Sequence, residues 1–393
     1  MQASHPHSHV RAPSVLRPHT HDPLCSWQQE HLYDHAQRYF DELIASILQA
    51  QNSVVVEFYI FDCDSLGLKI IGALRRVRER GVAVRVLIDG VGTAESGEQT
   101  IAAMQAAGIA VKIFHPLPWQ IARHGWSLRE GSRLGRLWYL IRNINRRDHR
   151  KLCIVDNQVL WTGSLNVSLK HLPVAQGGEN WRDYGVRLSG PGVAEVAENF
   201  NALWTHQRPR LRRGFFQYHW NNLTALARRR KNRLLVQQLS GATQRIWITS
   251  AYFCPSARVL KALKTAAAKG VDTRLLIPQT SDVYWFPLLT ASYYSDLLKA
   301  GVRVFEYGPR FLHAKALLID SFCLIGSTNF NHRSYLHDLE LDIVLHAAES
   351  KRQLEAYYLH DMAEATEVKL ESIGFRKRLV WLGWVPRLLR YWM

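Results

Sequence analysis

A chain of 393 residues that is 47% hydrophobic can bury one large core or two medium ones, and no low-complexity bias dominates it. Fifty basic against 33 acidic residues give a formal net charge of +17 and a pI near 9.8, which favours polyanionic partners, nucleic acid or anionic lipid, without choosing between them. Cys25, Cys63, Cys153, Cys254 and Cys323 are widely spaced, with no CxxC pair and no zinc-type spacing, which argues against a disulfide scaffold or a zinc module and fits a reduced cytoplasmic setting.

No run approaches the roughly 18 to 20 apolar residues needed to span a bilayer, and no signal-peptide core opens the chain, so membrane contact is expected to be peripheral. Residues 1–27, rich in His, Pro and Ser, read as a disordered tail, and the tail histidines His5, His7, His9, His19 and His21 read as solvated rather than metal-bound. From Leu32, apolar residues recur every three or four positions through Leu48, which predicts an amphipathic helix leading into the strand SVVVEFYIF. Then come a helix near LGLKIIGALRRVRERG, a strand VAVRVLIDG, a helix near IAAMQAAG and a strand IAVKIFHP.

The same order returns as RIWITSAYF, ARVLKALKTAAAKG, VDTRLLIPQ, YSDLLKAG and VRVFEYGP, an internal repeat. The copies are 193 residues apart at Gly108/Gly301 but 164 apart at His149/His313, so the first carries an insert of 29 residues that begins near Leu117. It interleaves arginines from Arg123 to Arg147 with Trp119, Trp126, Trp138 and Tyr139, a composition suited to an anionic interface. The expected organisation is a first half at 28–205, a basic linker at 206–240, a second half at 241–350 and a helical, basic-aromatic segment at 351–393. The fold class is α/β: two pseudo-symmetric halves, each a mixed sheet flanked by helices, with the site at their interface.

Each copy culminates in one pattern. His149 and Lys151 precede Asp156 and the run Gly163-Ser164-Leu165-Asn166; His313 and Lys315 precede Asp320 and Gly326-Ser327-Thr328-Asn329. A single HxKxxxxD is weak evidence, but its duplication with GSxN attached is strong. Read as strands, HRKLCIV and HAKALLI put His and Lys on one face and Asp156 and Asp320 on the other, so the aspartates are expected to brace a turn. If the halves pack about a pseudo-twofold axis, two imidazoles, two ammoniums and the amides of Asn166 and Asn329 converge on one phosphodiester-sized space. Lysines and amides would stabilise the negative charge on phosphorus oxygens, one imidazole would attack, and the other would protonate the leaving alcohol, with no cofactor and no metal needed. Downstream, RDYGVRL and LELDIVL align Asp183 with Glu340, and each is expected to orient one histidine.

The paired motifs resemble the phospholipase D superfamily, and the layout, including VEFYIF, HRKLCIVDNQVLWTGSLN, DYGVRLSGP and FLHAKALLIDSFCLIGSTNFNHRS, resembles bacterial cardiolipin synthases over roughly residues 29–350. The resemblance implies transfer of a phosphatidyl group between phospholipids, with His149 as nucleophile, His313 as acid/base, and Lys151, Asp156, Lys315 and Asp320 completing the catalytic motifs. Ser164 and Ser327 join the asparagines as supporting residues. It implies as partners an anionic phospholipid and a membrane surface, at the cytoplasmic face of the inner membrane, rather than nucleic acid, and leaves the oligomeric state open. Competing readings are a phospholipase-type hydrolase, a nuclease, since DNA is also a phosphodiester, and a binding protein with a dead site. Tyr284, Trp285 and Phe286 are candidates for acyl-chain contact.

Overall fold

The computed structural model describes residues 27–117, 120, 145–207, 209 and 215–371. The tail, most of the Arg/Trp-rich insert and the stretch from 372 onward lie outside these residues. The first half runs β1 (Gln29–Tyr33), helix Ala36–Leu48, β2 (Ser53–Phe58), helix Ser65–Glu79, β3 (Ala83–Asp89), helix Gly97–Ala106, β4 (Ala110–Phe114), β5 (Lys151–Val155), β6 (Val159–Gly163), β7 (Gly185–Ser189) and helix Gly192–Trp204. The second runs β8 (His219–Asn221), helix Ala225–Gly241, β9 (Arg245–Thr249), helix Ala257–Ala268, β10 (Asp272–Pro278), two short helices, β11 (Arg303–Tyr307), β12 (Ala316–Ile319), β13 (Phe322–Gly326), β14 (Leu341–Leu345), helix Ala348–Ala363 and β15 (Ala365–Glu367).

The two sheets are ordered β1-β7-β6-β5-β2-β3-β4 and β15-β11-β10-β9-β12-β13-β14-β8. In each, three strands run parallel (β2, β3, β4; β9, β10, β11) and continue into an antiparallel meander (β5, β6, β7; β12, β13, β14). This is the expected repeated α/β architecture of mixed sheets. Three apolar cores hold it together. Each sheet packs its outer face on its own helices, and the inner faces share one core, where Leu152 and Ile154 of β5 meet Leu318 and Ile325 of the second half. Cys153 and Val155 turn to the outer core instead, so both faces of β5 are buried. Strands buried on both faces read as continuous apolar runs such as KLCIV, without polar alternation.

Two elements depart from the sequence reading. Leu32 belongs to β1, which pairs antiparallel with β7, and the helix begins only at Ala36. Within the segment expected to link the halves, His219–Asn221 pairs with β14 and Ala225–Gly241 packs on the second sheet's outer core.

The β5–β6 turn holds Asp156 and Asn157 at φ 52° and 54°, left-handed values that Asp and Asn tolerate. The Asp156 carboxylate accepts the N–H groups of Gln51, Asn52 and Ser53 at 2.6–2.9 Å, tying the turn to the start of β2. Asp320 does the same for the backbone of Thr243, Gln244 and Arg245 at 2.8–3.0 Å. Replacing either with Ala removes three backbone acceptor bonds and is expected to lower stability in urea titration by about 1–3 kcal/mol. Because neither residue lines the cleft described below, residual activity of the folded fraction should stay near wild type; a selective loss of turnover at full stability would contradict this placement.

Candidate active site

Each half delivers its histidine just ahead of a central strand and pins it to the other half. His149 N–H donates to Leu339 O at 2.9 Å, and Leu339 N–H donates to Arg147 O at 2.8 Å. In mirror fashion His313 N–H donates to Arg182 O, and Arg182 N–H to Phe311 O, both at 2.8 Å. These isolated bridges, Asp148 with Leu339 and Arg182 with Leu312, sit beside Glu340 and Asp183. The side chains follow the same crossing. His149 Nδ1 lies 3.1 Å from Glu340 Oε2, and His313 Nδ1 lies 2.8 Å from Asp183 Oδ1, so each imidazole is held by the carboxylate of the opposite half.

With Nδ1 engaged, Nε2 of each ring is the nitrogen left for the cleft. That cleft, of about 980 Å³, is lined by His149, His313, Asn166 and Asn329. Asn166 Oδ1 accepts the Ile60 N–H at 3.3 Å, whereas the buried Asn329 Oδ1 has no hydrogen-bond partner among the described residues. Lys151 and Lys315 are buried, and each ammonium folds back on the carbonyl of its own histidine. The motif serines do not line the cleft: Ser164 bridges to Tyr184, just ahead of β7, while Ser327 Oγ donates to Glu340 Oε2 at 2.5 Å. The motif glycines explain themselves by close approach, since a Cβ at Gly163 would sit 2.4 Å from Tyr184 O and one at Gly326 2.5 Å from Leu341 O.

Burial and the adjacent lysines push both histidines below the ordinary imidazole value, which favours their neutral forms. Burial also lowers Lys151 to about 8 and Lys315 to about 7, against the pull of Glu340 and Asp183. An entering phosphodiester anion reverses these penalties and favours the charged forms. Asp183 is held well below the usual carboxylate range: burial raises it, but His313 and His171 outweigh that. Burial raises Glu340, which Lys231, Lys151, Ser327 and Ser334 only partly offset.

Asp156 and Asp320, grouped with the catalytic motifs by resemblance, are placed at turns outside this cleft. Sequence reasoning missed several wall residues. Tyr59 sets its ring 5.0 Å from that of His149, and Trp181 and Tyr252 flank His313 at 5.5 and 6.5 Å. His171 and Ser334 also reach the carboxylates, and the repeat could have exposed both, since each stands seven residues after the serine of its GSxN. His171, Asp183 and His313 bring ligand-type atoms within 4.8 Å of one another, and the hydrogen bonds use them as imidazole, carboxylate, imidazole.

An imidazole pair held this way can divide the labour of a phosphodiester exchange, one ring attacking phosphorus while the other moves the proton. Comparison with known proteins gives the family. The family model described as "Cardiolipin synthase, PLD-like domain" matches residues 43–204 and 235–362, and the chain belongs to that family, as a phosphatidyltransferase-type enzyme of the phospholipase D superfamily. It is 31% identical over 379 residues to cardiolipin synthase A of Pseudomonas fluorescens, covering 93% of this chain and 75% of that one. It is 29% identical over 375 residues to a cardiolipin synthase of Clostridium perfringens, covering 89% and 73%. Among solved structures, phosphatidylserine synthase of Haemophilus influenzae shares the fold with a TM-score of 0.64 at 14% identity, over 93% of this chain and 95% of that one. Polyphosphate kinase of Porphyromonas gingivalis shares it with a TM-score of 0.56 at 12% identity, over 84% of this chain and half of its own length.

The lysine values give a test of the anion site. Tungstate, a tetrahedral oxyanion, should compete with substrate and should bind more weakly as pH rises through 7 to 8, where Lys315 and then Lys151 lose their protons. An inhibition constant that stays flat from pH 6 to 9 would contradict the assignment of the lysines as its cationic partners.

Proposed function

We propose that this enzyme makes cardiolipin by transferring the phosphatidyl group of phosphatidylglycerol to the alcohol of a second phospholipid, through a phosphohistidine on His149. The observation that carries the reading is the crossed pair of imidazoles lining one cleft, each fixed at Nδ1 by a carboxylate of the opposite half. In the first step His149 Nε2 forms a bond to phosphorus as the bond to the glycerol oxygen breaks, and His313 gives that oxygen a proton from its Nε2. Lys151, Lys315 and the side-chain amides of Asn166 and Asn329 stabilise the charge on the non-bridging oxygens as phosphorus becomes five-coordinate. In the second step His313, now neutral, takes the proton of the incoming alcohol, whose oxygen attacks phosphorus and releases His149. Water in place of that alcohol would give phosphatidic acid.

The cleft mouth supports a lipid substrate. Trp285 and Phe286 line the cleft, and exposed apolar side chains stand near such lining residues in the chain, Tyr284 and Leu288 beside this pair and Val174 between His171 and Gly177. Exposed apolar residues next to the cleft's lining suit acyl chains at a bilayer surface better than a nucleic acid backbone. No helix among the described residues is long and apolar enough to cross a membrane, and peripheral attachment at the cytoplasmic face of the inner membrane is the arrangement proposed.

Purified protein incubated in chelator with phosphatidylglycerol vesicles, with and without phosphatidylethanolamine, is expected to form cardiolipin, followed by mass spectrometry. His149→Ala should lower turnover at least about 10³-fold while leaving vesicle binding intact. Phosphatidic acid as the only product would replace transferase with hydrolase, and absence of lipid turnover alongside cleavage of single-stranded DNA would replace both with nuclease.

A further inference from the structure

His171 belongs to no part of the repeated motif, yet it lines the cleft at 1% exposure, with its ring centre 5.7 Å from that of His313. It is the counterpart of Ser334. Each accepts the backbone N–H of its half's motif asparagine, Asn166 to His171 Nε2 at 3.1 Å and Asn329 to Ser334 Oγ at 3.3 Å. Each then donates to its own half's carboxylate, His171 Nδ1 to Asp183 Oδ2 at 2.7 Å and Ser334 Oγ to Glu340 Oε1 at 2.6 Å. Because His171 Nε2 accepts, its proton is on Nδ1.

The chemistry of the two lines differs. Asp183 holds one imidazole N–H on each oxygen, from His171 and from His313 at 2.8 Å. Glu340 holds two hydroxyls, from Ser327 and Ser334, and a longer contact of 3.1 Å to His149. The pseudo-twofold site is therefore asymmetric behind its histidines, and the imidazole stands on the His313 side.

We infer that His171 is a positioning residue for His313: it locks the Asp183 carboxylate so that His313 keeps its Nδ1 proton and presents Nε2 to the leaving oxygen. A carboxylate oxygen flanked by a second strong donor competes less well for the proton it shares with His313. That proton stays on the ring, and the Nε2 proton goes to the departing alcohol as the His149 nitrogen to phosphorus bond forms and the phosphorus to oxygen bond breaks. The inference rests on the role given above to His313 as the acid.

The leaving group separates this role from a merely structural one. Glycerol leaves phosphatidylglycerol only with a proton, whereas p-nitrophenolate leaves phosphatidyl-p-nitrophenol without one. In mixed micelles, first-turnover release of glycerol by His171→Ala is expected to fall about 10–100-fold, while release of p-nitrophenolate stays within about threefold of wild type. His171→Ser, which restores a hydroxyl like that of Ser334, should regain most of the glycerol rate. Equal losses on both lipids, or no loss on either, would overturn the inference. Wild-type protein that leaves both lipids intact would instead defeat the proposed function. In that case side-chain ¹⁵N spectra of histidine decide the inference alone: the His313 Nδ1–H resonance should weaken in His171→Ala and persist in His171→Ser, and no change in the Ala variant would overturn it.

Discussion

Everything in this site depends on hydrogen bonds that cross between the halves, from each imidazole to the carboxylate of the other. A histidine held only by its own half could rotate or change tautomer without disturbing the fold. Here His149 is fixed by Glu340 and His313 by Asp183, and the backbone of each is paired with the residue just before that carboxylate. Moving one half relative to the other would break both lines at once. The shared core between the sheets, which includes Leu152, Leu188, Ile325 and Leu341, is what keeps the halves in register.

Behind the histidines lie charges that would be costly if unpaired. Arg182 is buried and anchored by Asp361 at 2.8 Å and by Asp34 at 3.0 Å, and its carbonyl is the acceptor for the His313 and Ala314 N–H groups. Arg150, between His149 and Lys151, points the other way to Glu57 and Asp148. Lys231 pairs with Asp342 at 2.6 Å and with Thr328 of the GSTN run. Buried ion pairs contribute little net stability, because desolvation offsets most of their attraction. Their value here is positional: each anchors a backbone segment that carries a site residue.

The repeated halves and the histidines and asparagines that converge on the cleft were legible because motif spacing survives in sequence and because strands buried on both faces leave long apolar runs. The alternation argument also separated Asp156 and Asp320 from the histidines. That Glu340 serves His149 and Asp183 serves His313 was not legible, since the crossing is set by two isolated backbone bridges between segments far apart in the chain. β1 was hidden because Leu32 continues the helical spacing of the next segment, and only pairing with β7 makes QEHLY a strand. β8 was hidden by its length, three residues inside a basic stretch. His171 escaped because motif comparison looks for the same residue in both copies, and here equivalent positions carry different donors.

The proposed mechanism divides labour between two histidines, one from each half. It is tested most directly by feeding His313→Ala protein with phosphatidyl-p-nitrophenol, quenching in base and mapping the phosphorylated residue by mass spectrometry. The leaving group needs no acid, and without His313 the second step lacks its base. A near-stoichiometric phosphatidyl adduct on His149 is expected; an adduct on another residue, or release of p-nitrophenolate with no adduct on any histidine, would contradict the proposed division of roles.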